Sequence, residues 1–336
     1  MSYLNLKKII YRASSKINKQ RYPFLASPGM MGYDERMNLF STCRNELTGK
    51  GVAVEFGSFL GASTAAIQQG LRKNKKILNN SEFHIVDCFR SSLTSEFSEL
   101  TRDFARSGKV DHLLTEEDGW LCFYQAFLAH IDTNDPYIKI HQCFLSAFTW
   151  ESKPVEFLHL DLPKDWKQAS YIVSIIFPDL VIGAKVLFQD FGYQWSAELI
   201  AMIGILSNMG IISPYRLTDT TLSVTVEKTV TVDHIDLLAR MMTSPIDVIS
   251  GIESAKNACR KLSSPSIDAT LSMAKAHYKY SINDVDGCFD IVSSILLNSP
   301  CDLVIRVRLA DLFQRAFICD RSYEKPHEVS TSQGDV

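Results

Sequence analysis

The stretch Val54-Glu55-Phe56-Gly57-Ser58-Phe59-Leu60-Gly61-Ala62-Ser63 joins an apolar run to a helical pattern through two glycines. Glycine at 57 and 61 permits a tight strand-to-helix turn and lets a ligand approach the backbone closely. The spacing is not G-x-G-x-x-G, and no P-loop lysine follows, so dinucleotide and ATP readings weaken. Glu55 is expected to face a crevice at a sheet's carboxyl edge, where an acid suits a ligand bearing an ammonium group. Asp87 closes the next apolar run, Phe83 to Val86, and is placed to accept both hydroxyls of a ribose. Asp161 and Asp190 end later runs and are candidates for the base that takes a proton from a hydroxyl.

Strands and helices must alternate to present these residues together, and the pattern says that they do. Asp34 and Glu35 open a helix through Leu47, with negative charge where the helix dipole favours it. Val52 to Phe56, Phe83 to Val86, Tyr137 to Ile140, Val155 to Leu160 and Val186 to Phe188 read as buried strands. Helical stretches are expected at Ser63 to Leu71, Glu96 to Phe104, Trp120 to Ile131, Trp166 to Phe177 and Ser196 to Met209. Near-continuous apolar strands separated by helices predict an α/β fold with a parallel sheet covered on both faces. Pro214 to Leu217 and Leu222 to Val226 form a hairpin at its end, around Thr218-Asp219-Thr220-Thr221. After Val232 the pattern is helical, at Ile235 to Met242, Val248 to Leu262, Asp268 to Tyr280, Val285 to Leu297 and Leu303 to Phe317. Ala269 to Pro300 has the look of one tetratricopeptide-like helical pair. Within this frame, a cation-binding acid followed by a ribose-binding acid fits S-adenosylmethionine better than NAD.

Composition narrows the function classes. A net charge of −3 gives no argument for a nucleic-acid partner, which needs a concentrated basic surface. Eight scattered cysteines without a C-x-x-C pair argue against zinc or redox chemistry and fit a reducing cytoplasm. Residues 1–33 hold no acid, and Lys7, Lys8, Arg12, Lys16, Lys19 and Arg21 are interleaved there with apolar residues at helical spacing. This segment is expected to dock as a helix, with a peripheral contact to anionic lipid through residues 1–21 as the alternative. His159 reads as a core histidine. His141 lies nearer an adenine side, and Cys143-Phe144 are placed to line it. Tyr193, Gln194 and Trp195 are open to either a substrate contact or a structural loop. Trp120, Phe123, Tyr124 and Phe127 at helical spacing read as core.

The motif at 54–63 resembles the first motif of the macrocin O-methyltransferase group of class I methyltransferases. A second block strengthens the likeness: Leu158-His159-Leu160-Asp161, Asp165-Trp166, Phe177-Pro178-Asp179-Leu180-Val181-Ile182-Gly183 and Phe188-Gln189-Asp190-Phe191-Gly192. The resemblance spans roughly residues 30 to 228 and implies a seven-stranded Rossmann-like sheet, S-adenosylmethionine as methyl donor and a hydroxyl acceptor, often on a sugar. It also implies a divalent metal, Mg²⁺, held by carboxylates after the fourth and fifth strands. The chain departs from the pattern there, because Gln189 stands for the first of two paired aspartates and Leu162-Pro163-Lys164 places a cation beside Asp161. Asp161, Gln189 and Asp190 are the metal-ligand candidates, and a hard cation prefers anionic oxygen. Without metal, Asp161 or Asp190 would act alone as the base.

The expectation is therefore an α/β methyltransferase domain over residues 34–230, preceded by the basic segment 1–33 and followed by a helical domain over 231–321 and a disordered tail over 322–336. Glu55, Gly57, Gly61, Ser63, Asp87 and Phe144 are the cofactor-binding candidates. The acceptor is a small hydroxylated molecule, of the sugar or glycosylated-metabolite kind. The helical domain is assigned to assembly, including a homo-oligomer, or to acceptor selection. The alternative is a catalytically degenerate methyltransferase fold kept as a binding scaffold.

Overall fold

The computed structural model describes residues 22–77, 81–162, 165–298, 305 and 309. Residues 1–21, for which a lipid contact is the alternative expectation, Pro163, Lys164, most of the helix expected over 303–317 and the tail expected over 322–336 lie outside the described residues. No helix among the described residues is long and apolar enough to cross a membrane. The chain divides into two compact units, residues 1–192 with 198–262, and residues 193–197 with 263–336.

The first unit opens with α1 (Tyr33–Asn45), β1 (Val52–Phe56), α2 (Ala62–Lys73) and β2 (Phe83–Asp87). An insert follows, made of β3 (Arg90–Ser92), α3 (Glu96–Ser107), β4 (Thr115–Glu117), β5 (Trp120–Cys122) and α4 (Tyr124–Leu128). The alternation resumes with β6 (Ile138–Gln142), β7 (Val155–Leu160), α5 (Trp166–Ile176), β8 (Leu180–Phe188) and α6 (Ala197–Asn208). The hairpin β9 (Ile212–Thr218) and β10 (Thr221–Val226) precedes α7 (Val232–Met242) and α8 (Pro245–Ala258).

Seven strands form one sheet in the order β6-β2-β1-β7-β8-β10-β9. The first five run parallel, and β10 is antiparallel to both β8 and β9. This is the seven-stranded Rossmann-like sheet of the methyltransferase expectation. The chain order reverses between β1 and β7, and in open α/β sheets ligands bind outside the carboxyl ends of the strands at such a point. Burial on both faces explains the near-continuous apolar runs. Ala53, Phe83, Ile85, Phe157 and Leu187 share a core with Leu39, Phe40 and Cys43 of α1 and Ala66 and Ile67 of α2. Val54, Phe56, Val86, Leu158 and Leu160 alternate with them and are buried as well.

Two elements differ from the sequence expectation. The stretch from Trp120 is a strand and then a short helix, because Asp118 and Gly119, at φ 49° and 80°, make a two-residue turn that pairs Glu117 with Trp120. Trp120 thereby joins a three-stranded sheet, β3-β5-β4, while Phe123 and Phe127 are buried as expected. Strand β8 begins at Leu180, six residues before the apolar run that marks it in the sequence. Gly183 at φ 90° and a register shift against β7 interrupt its periodicity.

Helices α7 and α8 belong to the first unit. A Cβ on Gly204 of α6 would fall 1.8 Å from the Gly251 carbonyl oxygen of α8, so these helices cross at backbone distance. The second unit is built on α9 (Pro265–Ser281) and α10 (Val285–Asn298). Ala269, Met273 and Ala276 of α9 meet Cys288, Val292 and Ile295 of α10, with Ile305, Leu309 and Trp195 against them. A helical pair therefore occupies the segment that reads as one, and its tetratricopeptide likeness rests on sequence alone.

Candidate functional site

Gly57 and Gly61 both adopt left-handed backbone, at φ 84° and 88°, at the carboxyl end of β1. A Cβ at 57 would sit 2.8 Å from the Leu162 nitrogen, and one at 61 would sit 3.2 Å from the Phe127 ring. Both glycines are thus required by conformation and by neighbouring chain. The turn between them aims backbone donors at Asp87, the last residue of β2. Asp87 Oδ2 accepts from the amides of Ser58 at 2.8 Å and Phe59 at 3.0 Å and lies 3.3 Å from the Ser58 hydroxyl. Oδ1 accepts from the Phe89 amide at 2.7 Å. Burial raises the Asp87 pKa above the usual carboxylate value, and these donors pull it partly back.

Phe59 and Phe89 are themselves left-handed, at φ 49° and 53°. A non-glycine residue there costs on the order of 1–3 kcal/mol and persists only where its surroundings enforce it. Such strain on both sides of one buried acid makes this corner a candidate site. Ser63 is buried in the first turn of α2.

Glu55 lies elsewhere than the open crevice. It is fully buried, and its carboxylate is shared between the Thr64 hydroxyl at 2.5 Å and His159 Nδ1 at 3.1 Å. Register explains the pairing, since Glu55 of β1 stands opposite His159 of β7. Burial disfavours charge on the His159 ring, but the hydrogen bond and charge of Glu55, aided by Asp161, outweigh it and raise the pKa. The partners of Glu55 are thus the protein's own side chains.

Asp161 and Asp190 are both half-buried, at the ends of β7 and β8. The Asp161 amide donates to the Phe56 carbonyl at 2.9 Å, tying it to β1, and Asp190 is left-handed at φ 62°. Gln189, the third metal-ligand candidate, is engaged by protein groups. Its Nε2 donates to Glu35 Oε1 at 3.2 Å, and its Oε1 accepts from the Thr221 hydroxyl at 2.6 Å. Among the described residues no group of three His, Cys, Asp or Glu side chains is arranged to hold a metal ion. With the Gln189 oxygen held by Thr221, the set expected from the sequence offers a hard cation two carboxylates, Asp161 and Asp190.

Glu35 is the residue that sequence reasoning undervalues. Read as a helix-dipole acid, it is a buried hub: Oε2 accepts from the Gly32 amide at 3.0 Å, and Oε1 faces Thr220, Thr221 and Gln189. The sequence signal is an acid three residues after a glycine at a helix start, the position that reaches back to the chain entering the helix.

Phe144 is half exposed after β6, with its ring 5.9 Å from that of Trp120. Cys143 beside it donates its amide to the Asp87 carbonyl, so this corner is tied to the acid. His141 Nε2 lies 3.0 Å from His84 Nδ1, and the rings stack. Trp195 packs on His277 within the second unit.

No family model and no curated protein matches the sequence. Among solved structures, the O-methyltransferase NovP matches at TM-score 0.43 and 12% identity, over 60% of this chain and 82% of that one. CalS11, a TDP-rhamnose 3'-O-methyltransferase of calicheamicin biosynthesis, matches at 0.37 and 15%, over 57% and 78%. An O-methyltransferase from Bacillus cereus in complex with SAH matches at 0.35 and 10%, over 64% and 91%. At these scores the likenesses carry no argument about activity, and the fold rests on strand order and register.

Proposed function

We propose that this chain is an S-adenosylmethionine-dependent O-methyltransferase acting on a small hydroxylated acceptor, of the sugar or glycosylated-metabolite kind. One observation carries the reading. At the switch point of the sheet, a turn framed by two left-handed glycines meets a buried acid at the end of the neighbouring strand. Asp87 Oδ1 accepts one of these bonds against three contacts on Oδ2, so it keeps room for a ribose hydroxyl. With Glu55 committed to His159 and Thr64, the ammonium end of the donor falls to other acceptors of the same turn.

Asp161 and Asp190 are the carboxylates for the acceptor side. Either would take the hydroxyl proton as the oxygen attacks the activated methyl in line, and positioning supplies the rest of the rate. Calorimetry tests the donor site: S-adenosylhomocysteine should bind in the micromolar range and lose at least about tenfold in affinity in Asp87→Ala. Wild-type protein that ignores this ligand but binds NAD would sink the assignment.

A catalytically degenerate scaffold is the second reading, favoured by the internal partners of Glu55, Asp87 and Gln189. Cofactor binding without transfer to any hydroxylated acceptor would select it.

A further inference from the structure

The insert between β2 and β6 carries one buried ring that touches both left-handed phenylalanines. Phe123 is 2% exposed, and its ring meets Phe59 at 5.6 Å and Phe89 at 6.2 Å between centroids, both in T-shaped contact. Its amide also donates to the Phe89 carbonyl at 3.0 Å. Phe59 and Phe89 are the residues whose amides fall on opposite oxygens of Asp87. The ring positions have further anchors, Phe97 and Phe104 beside Phe59, and Tyr124 and Phe127 beside Phe89. Phe123 is the element common to both sets.

We propose that Phe123 is a positioning residue for Asp87. By clamping the rings of Phe59 and Phe89, it holds two unfavourable backbone conformations whose amides fix both carboxylate oxygens. The insert is thereby part of the donor site through an apolar side chain that touches none of the donor-site polar atoms named above. Without the clamp, Phe59 and Phe89 relax toward ordinary φ, their amides leave Asp87, and the carboxylate turns. The functional half of this inference rests on the cofactor reading above, and the geometric half does not.

Hydrogen exchange at the Phe59 and Phe89 amides reads the geometric half without ligand. Phe123→Leu keeps an apolar group and removes the ring. Phe24→Leu is the control, because Phe24 is equally buried and equally aromatic in its contacts, with Tyr22 and Phe40, away from Asp87. Both variants should melt at lower temperature, but only Phe123→Leu should speed exchange at both amides, by about tenfold. The same variant should weaken S-adenosylhomocysteine binding by about tenfold, with Phe24→Leu within about twofold of wild type. Should Phe123→Leu not fold, Phe123→Met, unbranched and more adaptable in packing and still without a ring, takes its place with the same readouts. Exchange unchanged at the two amides, or raised equally in the Phe24 control, would overturn the proposal. Faster exchange in a protein whose wild type binds no S-adenosylhomocysteine would keep the clamp and remove the cofactor reading.

Discussion

Gln189 stands where the resembled pattern has an aspartate, and its neighbours account for the amide. It offers a donor to Glu35 and an acceptor to Thr221, whose single hydroxyl proton can serve only one of the two side chains at a time. A carboxylate at 189 would face the carboxylate of Glu35 with both groups buried. Gln189→Asp should therefore destabilise the protein by on the order of 3 kcal/mol in urea denaturation, with no gain from Mg²⁺. Undiminished stability, or a melting temperature raised by Mg²⁺, would restore a metal site. The Glu55–His159 pair makes a second prediction. Its folded pKa is raised above the free histidine value, so its contribution is complete below about pH 6.5 and is lost as pH rises through the folded value. His84 and His141 are shifted the other way by burial, and their contributions fade as pH falls. Subtracting a His159→Gln series from wild type isolates the pair: the stability difference should shrink as pH rises above about 6.5. A constant difference would mean that the ring stays neutral. Neither network is legible in the sequence, because His159 and Glu55 are 104 positions apart, and only strand register joins them.

Elements are legible in the sequence where period and burial agree. The central strands β1, β2 and β7 announce themselves as apolar runs, and the acids at their ends follow from strand length. The insert escapes such a reading because Trp120, Phe123, Tyr124 and Phe127 mimic a helical stripe, while the deciding signal is the pair Asp118-Gly119 just before it. Glycines separate the local from the packed in the same way. Gly119 is left-handed with nothing within 4 Å of where a Cβ would stand, whereas a Cβ on Gly204 would strike the Gly251 carbonyl. Gly119→Ala should cost only the conformational penalty, about 1 kcal/mol, and Gly204→Ala about 3 kcal/mol or more by thermal unfolding. Equal effects would contradict the close crossing of α6 and α8.

The whole molecule divides later than the hydropathy pattern does. Among the described residues strands end at Val226, and that change of rhythm points to a boundary near 231, but α7 and α8 group with the sheet through contacts between sequence-distant helices. Ending the chain at Lys228 should give an aggregating fragment, whereas ending it at Leu262 should leave a soluble one that still binds S-adenosylhomocysteine. Circular dichroism and calorimetry on the two fragments check this, and a well-folded shorter fragment would move the boundary back. The sheet's two borders carry a further consequence. Strand β6 is five residues long and places Lys139 outward, and β9 contains Pro214 and Arg216, so neither border offers an unbroken row of apolar, donor-rich backbone. Short strands, cations and proline are the features that keep sheet borders from zipping onto other chains. Replacing Lys139 and Pro214 with valine should therefore open a route to fibrils that the native borders close, as thioflavin fluorescence on the two proteins would show.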